Sequence, residues 1–206
     1  MPAATDRLFF AVRPDARTAS RIESVAQALR KNHGLRGKSL GPERVHVTLH
    51  LVGDFAGGIP TGVLDDALAA AGPVAAHASP FDAFFDTLAS FTRKRRNMPL
   101  VLLGHDSVQG LSKLQQALLS ALVRAGLATD SGAPFVPHLT LLYDDRLMAP
   151  QAIEVPAWHV AELLLVRSLL GRSRHEVLAR LPLGACARPL TICLRTNSTT
   201  ERRGTA

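Results

Sequence analysis

Apolar residues fall along this chain in short runs and helical stripes. Leu8-Phe9-Phe10-Ala11-Val12 has the continuity of a buried strand. Pro14 and Asp15 then open a helix reaching about Asn32. Its apolar positions Ile22, Val25, Ala26 and Leu29 recur at helical spacing, and Gly34 supplies a stop. Residues 34–42 read as a loop, and residues 45–52 as a strand ended by Gly53-Asp54. Gly57-Gly58 and Pro60 mark a turn before a second helix, residues 64–71, which Gly72-Pro73 is expected to end. Residues 81–91 and 100–103 predict two strands, with the basic stretch Arg93-Lys94-Arg95-Arg96-Asn97 as a solvated hairpin loop. Residues 108–125 form a clear helical stripe through Leu111, Leu114, Leu118, Leu119 and Leu122, with Gly126 behind it. Pro134 and Pro137 lead into a strand over residues 138–143. Residues 163–168 and 177–181 predict a closing strand pair, turned by Gly171-Arg172-Ser173-Arg174.

Helices interleaved with mostly antiparallel strands predict an α+β fold. The chain also repeats itself weakly. Each half has a helix, a loop with proline, and then His-x-Thr-Leu on a strand: His46-Val47-Thr48-Leu49 and His138-Leu139-Thr140-Leu141. Packing by pseudo-two-fold symmetry would bring the two motifs together across a cleft. A chain of 206 residues suits one domain. Residues 1–184 are assigned to it, and residues 185–206, rich in Thr, Arg, Ser and Asn, to a basic tail expected to be disordered.

Strand parity turns the repeat into chemistry. Residues two apart point the same way, so His46 pairs with Thr48, and His138 with Thr140, while the intervening aliphatic residues anchor each strand. Two imidazoles can act as base and acid near neutral pH. Two hydroxyls can donate to oxygens on which charge builds. One His-x-Thr alone is a common strand pattern; two copies on predicted strands carry the argument. Parity would also place His50 beside His46 and Thr48, as a cleft wall or a metal ligand, but no set of three or four ligands converges in the sequence, and no metal is expected.

Charge adds a partner. The net charge of +7 favours an anion such as RNA or a nucleotide, although four arginines of the tail, against Glu201, supply +3 of it. Cys186 and Cys193 form no Cys-x-x-Cys pair and read as reduced thiols of a cytoplasmic protein. Neither a signal peptide nor a membrane span is read in the sequence.

With their flanks Val52-Gly53-Asp54-Phe55 and Pro137, the two motifs resemble those of the two-histidine phosphoesterases, especially the LigT-like bacterial RNA 2′,3′-cyclic phosphodiesterases, or 2′-5′ RNA ligases. The opening strand, the basic hairpin and the closing strands add to the resemblance, over roughly residues 7–183. It implies a bilobal, pseudo-two-fold fold with two mostly antiparallel sheets lining a central cleft and helices outside. It further implies a monomer without a cofactor that hydrolyses RNA 2′,3′-cyclic phosphate ends to 2′-phosphates, with reversible ligase activity as an extension. One histidine would activate water and the other protonate the leaving 3′ oxygen; His138 is expected as base and His46 as acid, an assignment the sequence leaves open. A small cyclic nucleotide or ADP-ribose cyclic phosphate is the alternative substrate. A non-catalytic RNA-binding module is the alternative class.

The chain departs from its relatives at Tyr143, where many LigT-like members carry arginine. By parity with Leu139 and Leu141, Tyr143 is expected in the core unless a bulge intervenes. Phosphate neutralisation would then pass to Arg95, Arg96 or Arg172, of which Arg95 and Arg96 are assigned to substrate binding. Phe10, Phe84 and Phe91 are weighed as base-stacking residues, with core packing the expectation. Trp158 is expected to pack. His33, His77, His105, His159 and His175 have no partner at informative spacing and are expected on the surface.

Overall fold

The computed structural model describes residues 2–92, 96–104, 108–130 and 132–185. In chain order its elements are β1 (Asp6–Val12), α1 (Ala16–Asn32), β2 (Val47–Phe55), α2 (Thr61–His77), β3 (Phe81–Ala83), β4 (Thr87–Ser90), β5 (Met98–Leu103), α3 (Gln109–Arg124), β6 (His138–Asp144), β7 (Gln151–Ala152), β8 (Trp158–Val160), β9 (Glu162–Leu169) and β10 (Arg174–Pro182). One four-stranded sheet has the order β10-β9-β1-β2 and a second the order β6-β5-β4-β7; β3 and β8 pair separately. Every pairing is antiparallel, so the α+β expectation holds.

The uninterrupted apolar run of β1 follows from its place inside the first sheet. Leu8, Phe10 and Val12 enter the main core, while Phe9 and Ala11 pack with Leu164 and Val166 on the other face. The stripe of α3 is buried as predicted through Leu111, Leu114, Leu118 and Leu122. Asp15 caps α1 by accepting from the Thr18 N–H at 2.9 Å.

The elements depart from expectation in three respects. Helix α2 continues through Gly72-Pro73 to His77. Gly72 has no Cβ to clash with the proline ring, so the residue before proline keeps its helical conformation. The predicted strand over residues 81–91 is two strands in different sheets, broken where Phe85 turns into the core and stacks on Trp158, centroids 5.4 Å apart. Strands β7 and β8 were not anticipated: they are short and flanked by prolines, too brief for a period to show. The expectations for Arg93, Lys94, Arg95, His105, Cys186, Cys193 and the tail from residue 186 lie outside the described residues.

The weak repeat has a structural counterpart. β1–α1–β2 and β5–α3–β6 each place a helix between antiparallel neighbours, and β2 and β6 are the outer strands of their sheets. These two edges contact each other. The α1–β2 loop lies along the β6 edge: Leu40 donates its N–H to the Leu141 carbonyl at 3.0 Å, and Ser39 bridges Leu142. Buried Asp144 secures that loop by accepting from the backbone N–H groups of Arg36, Gly37 and Arg146 at 2.6, 2.7 and 2.8 Å.

Candidate active site

His46 stands one residue before β2, just after a 3₁₀ turn, Pro42–Arg44. Its Nδ1 lies 2.6 Å from the Arg44 carbonyl oxygen. A carbonyl only accepts, so Nδ1 carries the proton. Nε2 of the neutral ring then presents a lone pair, to which the Thr48 hydroxyl, 3.1 Å away, donates. His138 opens β6 and repeats the device: its Nδ1 donates to the Val136 carbonyl at 2.9 Å. Both rings are thus fixed by the carbonyl two residues upstream, with Nε2 as the free functional atom. His138 acts electrostatically on His46, and the strands that carry the two motifs contact each other, so the two rings lie in one region of the molecule.

The two strands share a second device. Thr48 pairs with Ala11 but the next pair is His50 with Phe10, so Leu49 is an extra residue in β2. Thr140 pairs with Val101 but the next pair is Leu142 with Leu100, so Leu141 is an extra residue in β6. Each motif's leucine is therefore a bulge, and the side chains just beyond it change face; in β2 a second extra residue, Val52, switches the face again. His50 falls opposite Phe10, on the core side, rather than beside His46 and Thr48. Burial pushes its imidazole below the ordinary value. Leu51 and Tyr143 take the cleft face instead and are 46% and 41% exposed. Tyr143 is thus not a core residue. Arg7 of the first sheet is held above its ordinary value by the Asp54 carboxylate, to which its Nε donates at 2.7 Å.

His175, expected at the surface, is a half-buried member of the site. Its ring meets that of His46 edge-on, centroids 5.2 Å apart, and Phe9 touches both, at 5.1 Å from His46 and 5.6 Å from His175. Burial depresses both imidazoles to about 4; the positive Arg13 and Arg44 nearby add to this for each. Both histidines are therefore neutral at pH 7. Phe91 packs edge-on against His138, centroids 4.9 Å apart.

The remaining expectations sort by parity. Phe10 is fully buried, so Phe9 is the β1 aromatic that reaches the site, as Phe91 does beside His138. Phe84 is exposed. Arg96 is exposed beyond β4, on the hairpin that carries Phe91, and Arg172 sits on the β9–β10 turn, beside Thr5 and Asp6. His159 bonds Asp82, and His77 bonds the Pro73 carbonyl. Trp158 packs as expected. Among the described residues no three His, Cys, Asp or Glu side chains are placed to hold a metal ion, and no helix is long and apolar enough to cross a membrane. Periodicity missed His175, Phe9 and Arg44. Phe9 had a signal, since β1 is apolar on both parities and only one could enter the main core. His175 had none, because its strand stands three places from β2.

These features agree with known proteins. The structure resembles TT0787 of Thermus thermophilus, with a TM-score of 0.68 and 24% identity over 88% of this chain and 100% of that one. It also resembles Escherichia coli LigT complexed with 3′-AMP, with a TM-score of 0.67 and 26% identity over 86% of this chain and 98% of that one. No curated protein sequence matches the chain significantly. The family model of the 2′-5′ RNA ligase superfamily matches residues 14–171. The chain belongs to that superfamily of two-histidine phosphoesterases.

Proposed function

We propose that this protein hydrolyses RNA 2′,3′-cyclic phosphate ends to 2′-phosphates by two-histidine acid–base catalysis, without a metal. The observation that carries this reading is the matched pair of imidazoles, each with Nδ1–H held by a backbone carbonyl and Nε2 left for a reacting group. Escherichia coli LigT, of the same fold, has been seen with 3′-AMP, which supports a nucleotide in this cleft.

The roles follow from protonation. His46 is neutral at pH 7, so its Nε2 lone pair takes the proton from the attacking water. His138 then donates its Nε2 proton to the departing 3′ oxygen. This is the opposite of the assignment expected from the sequence, and the burial of His46 supports it. Water adds to phosphorus, the bond to the 3′ oxygen breaks, and the 2′-phosphomonoester remains. Thr48 and Thr140 donate to the non-bridging oxygens, Thr48 turning from His46 to do so. A 5′-hydroxyl in place of water would give a 2′-5′ linkage by the same transfers.

Turnover of an oligonucleotide ending in 2′,3′-cyclic phosphate, in excess EDTA, tests the reading. The expected product is the 2′-phosphate. His46→Ala and His138→Ala should each lower the rate about 10²–10⁴-fold. Binding without turnover by the wild-type protein would leave an RNA-binding module, and loss of turnover in EDTA would indicate a metallohydrolase. Turnover confined to mononucleotides would shift the substrate to a small cyclic nucleotide.

A further inference from the structure

Arg44 occupies an unusual position for a cation. It ends the 3₁₀ turn that delivers His46, and its own carbonyl fixes that ring. Its Nε is buried with no hydrogen-bond partner. No carboxylate among the described residues forms an ion pair with it, whereas Arg7, Arg167, Arg174 and Arg180 all have one. Arg13, the other cation near His46, is committed to the turn: it donates to the carbonyls of Pro42 and Glu43. The groove on the outer side of the turn is lined by Arg13, Pro42, Glu43 and Arg180, but not by Arg44. Arg44, like Arg13, acts electrostatically on His46 and His175, and of the two it is the one with a buried Nε that has no partner.

A buried guanidinium nitrogen without a partner costs free energy, and a guanidinium with no carboxylate beside it keeps its charge for an anion. A cyclic phosphodiester brings one negative charge, and the transition state for attack concentrates charge on the non-bridging oxygens. Thr48 and Thr140 offer only neutral hydroxyls, His46 and His175 are uncharged at pH 7, and His138 is engaged with the departing 3′ oxygen rather than the non-bridging oxygens. A planar, permanently charged fork matches phosphate oxygens two at a time.

We propose that Arg44 is the phosphate-binding cation of this site, meeting the non-bridging oxygens from the His46 side, with His175 and Phe9 walling the same pocket. This rests on reading the cleft as a phosphodiesterase centre, and it names Arg44 rather than the exposed Arg96 as the residue that neutralises the phosphate.

The test is binding of adenosine 2′-monophosphate and of adenosine by isothermal titration, beside turnover of the cyclic phosphate. Arg44→Gln should weaken the monophosphate about tenfold to a hundredfold, the range for losing a hydrogen bond to a charged group, and leave adenosine unchanged. Arg44→Lys should recover part of the loss, since it restores charge without the fork. Equal weakening of both ligands would make Arg44 a prop for the turn and overturn the proposal. So would full monophosphate affinity in Arg44→Gln with a loss in Arg96→Gln. Wild-type binding of the monophosphate that depends on Arg44, without turnover of the cyclic phosphate, would sink the reaction while keeping the anion site. Wild-type turnover unaffected by Arg44→Gln would do the reverse.

Discussion

At the scale of single residues, the site is a matter of which imidazole carries a proton. An unperturbed histidine titrates near about 6.5, but burial holds His46 at about 4. As base, His46 must be neutral, so activity is lost only where acid protonates it. The acid limb of kcat/KM should therefore lie near pH 4. A pH profile of kcat/KM on the cyclic phosphate checks this; an acid limb at pH 6 to 7 would return His46 to the role of acid. The motif histidines and threonines were legible because each pair lies two apart on one strand, and a short strand carries that relation unaided. His175 was not legible, since it reaches His46 from the opposite edge of a four-stranded sheet. Arg44 was hidden for a related reason: a 3₁₀ turn has no hydrophobic period from which a side chain's direction can be read.

At the scale of elements, the informative feature is the bulge after each threonine. Simple alternation puts Tyr143 in the core and His50 in the cleft, and the extra residues Leu49 and Leu141 invert both placements. Nothing in the local sequence announces the inversion, because a buried leucine suits a regular strand as well as a bulge. The consequence is measurable at Tyr143. A tyrosine in the core, cut to alanine, would cost about 3–5 kcal/mol. On the exposed cleft face Tyr143→Ala should change stability by no more than about 0.5 kcal/mol and raise KM severalfold for the cyclic phosphate substrate. Urea unfolding with steady-state kinetics separates the two, and a large stability loss would contradict the bulged register. The same reasoning explains α2, where a helix-stop signal, Gly72-Pro73, was overridden because its glycine relieves the steric conflict that makes proline a stop.

At the scale of the whole molecule, the proposed reaction requires the two sheets to be held so that His46 and His138 face one phosphate, and the α1–β2 loop ties the two sheets together. It belongs to the first half of the chain yet is bound along β6 of the second. Burial pushes the Asp144 carboxyl up, and the N–H bonds of Gly37, Arg146 and Arg36 outweigh it, so it sits below the usual carboxylate range. A β-carbon on Gly37 would lie 1.9 Å from the Tyr143 carbonyl oxygen, which only displacement of the loop relieves. Asp144→Ala should therefore cost about 2–3 kcal/mol, the scale of buried donors left unpaired, with Asp144→Asn costing less. Gly37→Ala should lower both stability and kcat, because the shifted loop leads directly into Arg44 and His46. The pH dependence of stability separates these contributions. His46 and His175 have folded values below their unfolded ones, so the unfolded chain binds more protons and stability falls as pH drops from about 6.5 to about 4. Asp144 contributes stability that is present above the unfolded aspartate value of about 3.9 and is lost as pH falls further, through its folded value. Urea unfolding from pH 7 to pH 3 should show both declines in the wild-type protein. In Asp144→Asn the lower decline should become shallower and the upper one remain; an unchanged lower decline would show that this carboxylate does not tie the loop to β6.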